Sequence, residues 1–157
     1  MFRVGDKIVH PMHGAGIVDE IVTRKVNGVL RDYYSLRLPV GGMLVMIPTE
    51  NCGEIGVRAV LTAEEAQRML GEITQLQVEL EPNWNQRYRE NMLRLKSGNL
   101  LEVAKVVKCL LLRDSRRGLS TGERKMLHSA RQILISEIGM ACDISYEEAE
   151  RRINQAL

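Results

Sequence analysis

The single tryptophan of this 157-residue chain, Trp84, opens the segment Pro82-Asn83-Trp84-Asn85-Gln86-Arg87-Tyr88-Arg89, where cations begin directly after an acidic stretch. From Trp84 to Gln132 there are twelve Lys/Arg against four Asp/Glu, while 61–83 carries a net −4 and 133–157 a net −3, so a formal charge of +2 conceals a polarised molecule. A basic stripe holds phosphates by displacing their counterions, and an indole beside it offers a face that stacks on a base or wedges between two. On a helix starting near Asn83, Trp84 and Tyr88 fall one turn apart, and the pairs Arg87 with Arg94 and Arg89 with Lys96 are each seven apart, setting cationic strips beside an aromatic pair. A second set, Arg113, Arg116, Arg117, Arg124 and Lys125, brackets Gly118-Leu119-Ser120, a turn into a helix N-terminus whose free N–H groups favour an anion. The same residues also suit a helix-start tryptophan packed on its neighbours, a solvated charged face, or basic helices that bind an acidic protein partner rather than nucleic acid.

Catalytic constellations do not emerge. His10 and His13 sit three apart beside a turn and with Cys52 fall short of a four-member metal set, so no metal is expected. The Ser and Thr residues lack a nucleophile-elbow context, the carboxylates are not paired, and Gly41-Gly42 and Gly53-x-x-Gly56 read as turn glycines with neither Walker nor Rossmann spacing. A protein that is not an enzyme, with no cofactor and no small-molecule ligand, is the expectation. The cysteines Cys52, Cys109 and Cys142 are odd in number and widely spaced, which reads as reduced, buried thiols. With no signal-like segment and no apolar run of membrane-spanning length, the sequence reads as cytoplasmic, with no membrane partner.

These residues must be positioned by two kinds of element. From Phe2 to about Val60, short Val/Ile/Leu-rich runs broken by glycine predict five strands, at 3–9, 16–24, 32–38, 43–47 and 57–60. Val26-Asn27-Gly28-Val29 has the pair a type I′ hairpin turn requires, 39–42 supplies a second turn, and 10–14 an irregular loop. Five short antiparallel strands in sixty residues suit a small curled barrel. From Thr62 onward the punctuation is helical: Thr62 with Glu65, Asn99 with Glu102, Ser120 with Glu123 and Ser145 with Glu148 have capping-box spacing, and a further helix begins near Asn83. Val103, Val107, Leu110 and Leu111, and then Leu127, Ala130, Leu134 and Ile138, form apolar stripes for a compact bundle, while 62–69 reads as a short helix. The fold class is therefore α+β, a five-stranded antiparallel barrel over 1–60 followed by an all-α domain of about five helices over 61–157. The aromatic content of 4% makes both cores aliphatic. The barrel half is nearly neutral, and an open barrel leaves an edge strand that can bind a protein by strand addition.

Taken together, Phe2 to Gly14, Ile47-Pro48-Thr49-Glu50-Asn51, the Asn83-Trp84 helix start and Arg113-Asp114-x-x-Arg117-Gly118-Leu119-Ser120-x-Gly122-Glu123 give the chain a form that resembles the CarD/CdnL family of bacterial transcription regulators, over nearly its whole length. The resemblance implies a Tudor-like or SH3-like N-terminal domain, similar to that of transcription-repair coupling factors, that docks on the RNA polymerase β subunit through an edge strand. It implies a helical C-terminal domain on promoter DNA at the upstream fork of the bubble, where the family's tryptophan wedges into the minor groove and stabilises the open complex. Carried over by position, Trp84 is the wedge, with Tyr88 beside it. Arg87, Arg89, Arg113, and Arg124 or Lys125 contact phosphate, with Arg117 in the same motif. Arg24 faces polymerase along with the strand Val45-Met46-Ile47-Pro48. Relatives often carry a basic residue at the position of Met46, so one polar contact is absent here. Because the chain stops at Leu157, the resemblance is to the short form of the family.

Overall fold

Asn27 and Gly28 both take positive φ, 51° and 81°, and Val26 pairs directly with Val29, so the Asn-Gly pair makes the two-residue hairpin turn its chemistry demands. This hairpin is the centre of the N-terminal half. In the computed structural model, which describes residues 1–39 and 41–157, the chain runs β1 (Lys7–His10), β2 (Gly14–Val26), β3 (Val29–Arg37), β4 (Leu44–Pro48), α1 (Cys52–Ile55), β5 (Arg58–Ala59), α2 (Ala63–Gln75), α3 (Trp84–Lys96), α4 (Leu100–Arg117), α5 (Thr121–Cys142) and α6 (Tyr146–Ala156). The strands form one antiparallel sheet in the order β4-β3-β2-β1-β5, so β4 and β5 are its edges and the barrel is open. The architecture is α+β, as its strand and helix signals indicate.

Three elements differ from the sequence expectation. The first strand begins at Lys7 rather than Arg3, because Asp6 accepts the Arg3 N–H at 2.8 Å and Gly5, at φ 93°, turns the chain. Gly53 lies inside a one-turn helix, α1, that starts at Cys52 and is ended by Gly56 at φ 103°. The helix that starts after Thr62 continues past residue 69 to Gln75, with Ala66 and Ile73 buried in the helical core, so it belongs to the bundle. In the turn at 39–42, Gly41 and Gly42 have φ of 73° and 61°, and Val40 lies outside the described residues.

Two cores form, the helical one aliphatic and the sheet's aliphatic apart from Tyr34. Ile8, Val18, Tyr34, Leu36, Leu38, Ile47 and Val57 fill the sheet's inner side, and the stripes of α4 and α5, with Leu95, Ile73 and Ile153, fill the bundle. All five long helices are N-capped by the residues the sequence nominates, Thr62, Asn83, Asn99, Ser120 and Ser145. Only Thr62 with Glu65 closes a reciprocal capping box. The other three glutamates are turned to arginine or lysine: Glu102 to Lys105 and Arg94, Glu148 to Arg151 and Arg152, and Glu123 to Arg87.

The two halves are joined along α5. The Ala15 N–H donates to Ser136 Oγ at 3.0 Å in a buried contact. A Cβ on Gly14 would stand 2.7 Å from that same oxygen and 3.3 Å from the Ile133 backbone, so glycine there permits the close approach. Glu137, with no exposed surface, accepts both Nη groups of Arg58 at 2.6 and 2.7 Å and the Leu61 N–H at 3.0 Å. Arg58 Nε in turn donates to Gly98 O at 2.7 Å, tying β5 to the α3–α4 corner.

Candidate functional site

Asn83 ends its extended run by accepting the Gln86 N–H at 3.0 Å, which starts α3 and sets Trp84 at its first position. One turn on, Tyr88 lies under the indole, ring centroids 5.0 Å apart and 17° from parallel. The indole N–H is held as well, donating to Ser120 Oγ at 3.2 Å and to Glu123 Oε1 at 3.1 Å. Trp84 nevertheless keeps 42% of its surface exposed. A large apolar plate is thus anchored by its polar edge and backed by a second ring, with its remaining surface in solvent.

The anchor is an ion pair. Arg87 Nε donates to Glu123 Oε2 at 2.9 Å, and Arg87 Nη1 to the Glu81 carbonyl at 2.9 Å. Arg87 is 3% and Glu123 2% exposed. This corrects one expectation: Arg87 does not face phosphate, because a guanidinium sealed against a carboxylate and two carbonyls has no surface to offer. Burial pushes the Glu123 carboxyl up, but the hydrogen bonds and charge of Arg87, with the Ser120 backbone and side-chain hydrogen bonds, outweigh it and leave its pKa below the ordinary value.

The free cations surround this anchor. Arg89 and Lys96 are exposed and line, with Trp84, Asn85, Tyr88, Met92 and Leu93, a shallow groove of about 510 Å³ along α3. Arg117 ends α4 in the open, and Arg124 and Lys125 stand exposed on the first turn of α5. Arg113 is half-buried, its Nε without a hydrogen-bond partner among the described residues. The α5 N-terminus is already occupied: the Ser120 hydroxyl takes the Glu123 N–H at 3.2 Å, and the Glu123 carboxylate lies against that hydroxyl at 3.3 Å. Side-chain cations rather than helix amides are therefore the groups left for an anion.

On the barrel, Leu38 N–H to Met43 O and Thr49 N–H to Asp32 O fix which residues of β4 bond to β3. By the alternation of an antiparallel ladder, Val45 and Ile47 turn their backbone groups inward, and Leu44, Met46 and Pro48 turn theirs to the open edge. Ile47, 1% exposed, also buries its side chain in the sheet's core. Val45, half-buried, packs against the same core. These two expected docking residues thus face away from any partner at the edge. Leu44, 50% exposed, is the edge residue the sequence reading passed over; period-two alternation from Ile47 would have found it. Among the turn residues, His10 is kept below its ordinary pKa by burial and then by His13, and its Nδ1 accepts the Met12 N–H at 3.1 Å. Cys109 is buried, with its thiol pushed up by burial, whereas Cys52 and Cys142 are only half-buried.

Residues 2–61 match the family model described as CarD-like/TRCF RID domain, and residues 62–154 match that described as CarD, C-terminal domain. The chain belongs to the CarD family. YdeB of Bacillus subtilis (strain 168), described as a candidate transcription factor, is 34% identical to this CarD-family chain over 138 residues, 88% of this chain and 90% of YdeB. No helix of this CarD-family protein is long and apolar enough to cross a membrane, among the described residues.

The carboxylates of this CarD-family chain set its acid limit. Glu123 and Glu65 lie below their ordinary pKa, Glu65 chiefly through the Thr62 backbone bond, and Glu148 is lowered to about 2 by hydrogen bonds from Arg151 and then Arg152. A carboxyl depressed in the folded state adds stability above its unfolded pKa of about 4.3 and loses it as pH falls through the folded value. Urea midpoints are therefore expected to ease slightly from neutrality to about pH 5, where lowered-pKa His10 takes its proton more readily unfolded than folded, and to fall steeply between roughly pH 4.5 and 2. A midpoint that falls instead on raising pH from 5 to 7 would contradict this assignment.

Proposed function

We propose that this CarD-family protein is a transcription regulator that docks through the open β4 edge on the RNA polymerase β subunit and engages promoter DNA at the upstream edge of the bubble. Its helical half stabilises the open complex, with Trp84 as the wedge and Arg89, Arg113, Arg117, Arg124 and Lys125 as phosphate contacts. The observation that carries the reading is the anchored, half-exposed indole at the head of a basic surface. A ring fixed by two hydrogen bonds and a stacked tyrosine has already lost its rotational freedom, so inserting it against a base step costs little further entropy. Stacking of one base on an aromatic side chain contributes about 1–3 kcal/mol, and about 1.4 kcal/mol shifts a closed-to-open equilibrium tenfold. Weak free DNA affinity is sufficient, because docking on polymerase makes the DNA contact intramolecular. A minor-groove contact reads little beyond A·T against G·C, so fork shape rather than base sequence governs placement.

Trp84→Ala is expected to shorten open-complex lifetime on a competitor-challenged promoter by about fivefold to tenfold, with polymerase affinity unchanged. A lifetime equal to that of the unsubstituted protein would remove the wedge from the mechanism.

A further inference from the structure

The outer face of the β2–β3 hairpin carries a feature that neither the wedge nor the edge strand explains. The register places Val26 opposite Val29, Arg24 opposite Arg31, Val22 opposite Tyr33, which pairs beyond with Pro48, and Glu20 opposite Ser35, which pairs beyond with Met46, all on one side of the sheet. Two arginines thus stand directly across from each other, both exposed, with no salt-bridge or side-chain hydrogen-bond partner among the described residues. No carboxylate around them pairs with either arginine among the described residues, and this includes Glu50, one residue past the Thr49 N–H to Asp32 O bond. Asp32 lies on the opposite face, accepting the Thr23 hydroxyl at 2.6 Å, and Asp19 holds Arg37 at 2.9 Å. Glu20 shares the face but sits four residues along β2 from Arg24, about 13 Å away with Val22 between them. Like charges placed opposite each other disfavour the sheet, so the pair costs the free protein stability. The rows on either side are apolar: Val26 and Val29 are 40% and 53% exposed at the tip, and Tyr33 and Pro48 are half-buried on the other flank.

We infer that Arg24 and Arg31 together form a cationic row that seats on an acidic patch of the RNA polymerase β subunit beside the strand that pairs with β4, with Arg31 contributing as much as Arg24. The inference rests on the docking reading above. A protein partner fits better than nucleic acid for two reasons visible in the fold. The cations are framed by apolar side chains, and the adjoining edge turns the N–H groups of Leu44 and Met46 and the carbonyls of Leu44, Met46 and Pro48 outward, groups a β-strand can pair. A partner carboxylate between the arginines would relieve their repulsion as it binds, so the pair favours the complex over the free state.

The test measures binding of the full chain to core RNA polymerase at low and moderate salt, with the unfolding midpoint of each variant alongside. Arg31→Glu is expected to weaken binding roughly tenfold, as much as Arg24→Glu, while Arg31→Lys stays near the unsubstituted protein. Its unfolding midpoint should be equal or higher, since a cross-strand repulsion becomes an attraction. Arg31→Gln, which removes charge without reversing it, should lose about half as much on a logarithmic scale and guards against a folding defect in the glutamate variant. Met46→Pro removes one outward N–H and reports on the edge alone. Should Met46→Pro abolish binding while Arg31→Glu and Arg31→Gln bind normally, the cationic row is wrong and the docking edge stands. If all of these variants bind normally, the barrel is not the docking module and both readings fail together. A loss in promoter DNA crosslinking with unchanged polymerase affinity would assign the row to DNA and overturn the inference.

Discussion

Arg58→Ala is expected to lower stability by about 3–5 kcal/mol, a large share of the roughly 5–15 kcal/mol that holds a domain of this size together. The reason is what the substitution leaves behind. Glu137 has no exposed surface and accepts both Nη groups of Arg58, so without the guanidinium its charge is left with the Leu61 N–H alone. The reverse change, Glu137→Ala, should cost less, about 2–3 kcal/mol, because Arg58 retains 30% side-chain exposure and its bond to Gly98 O. Replacing both, as Arg58→Met with Glu137→Leu, should recover most of the loss but leave the Leu61 N–H and Gly98 carbonyl unpaired, about 1–2 kcal/mol short. Urea unfolding of the four proteins measures this ordering. If Glu137→Ala proves the more damaging single change, the burial asymmetry is not what sets the cost.

The same change has a consequence for function. α5 holds both anchors: Glu123 in its first turn fixes Trp84, and Ser136, Glu137 and Met140 toward its other end hold β1, β2 and β5. Fourteen residues of helix separate Glu123 from Glu137, about 21 Å at 1.5 Å per residue. A strut of that length sets where the indole falls relative to the barrel, and so to the β4 edge for which docking is proposed. Loosening the Arg58 end is therefore expected to shorten open-complex lifetime even where both halves remain folded, and hydrogen exchange should show amides around β5 losing protection before those of α4.

The chain announces most of this scaffold locally. Cap residues, the Asn-Gly turn and the stripes of α4 and α5 act through neighbours three or four positions away, so their outcome is readable before any tertiary contact is known. The site is less legible. On α3 the buried stripe is Arg87, Asn91 and Leu95, only one of them apolar, so periodicity gives no hint that Arg87 rather than Arg89 or Arg94 turns inward. Nor does capping-box spacing reveal that Glu123 leaves the box for a partner 36 residues away. Glu137 does leave a trace, as a lone charge inside Ile133-Leu134-Ile135-Ser136-Glu137-Ile138-Gly139, where an apolar helix face carries a carboxylate only if a cation meets it. β4 divides in the same way: its existence is local, but which of its residues face a partner depends on the pairing with β3.

Glu123→Ala should free the indole without altering it. The variant removes one of the two acceptors of the Trp84 N–H, leaving Ser120 Oγ, and strands the Arg87 guanidinium, at 3% exposure, with only backbone carbonyls, at a cost of about 3–5 kcal/mol. Because Trp84 is the only tryptophan, its fluorescence reports this directly: anisotropy should fall and acrylamide quenching rise in the folded variant. If Trp84 is the wedge we propose, open-complex lifetime should then drop part of the way to that of Trp84→Ala although the ring is intact, since an indole held only by Ser120 and Tyr88 must be ordered further on insertion. Glu123→Gln keeps an acceptor oxygen and should preserve most of the anisotropy while losing the charge that balances Arg87. Arg87→Ala tests the same unit from the other side. If Arg87 acts only through Glu123, the double variant should be little worse in lifetime than either single one, the non-additivity of residues working as one device. Additive losses would instead mean that Arg87 reaches DNA on its own, and would return it to the phosphate contacts from which its burial removes it.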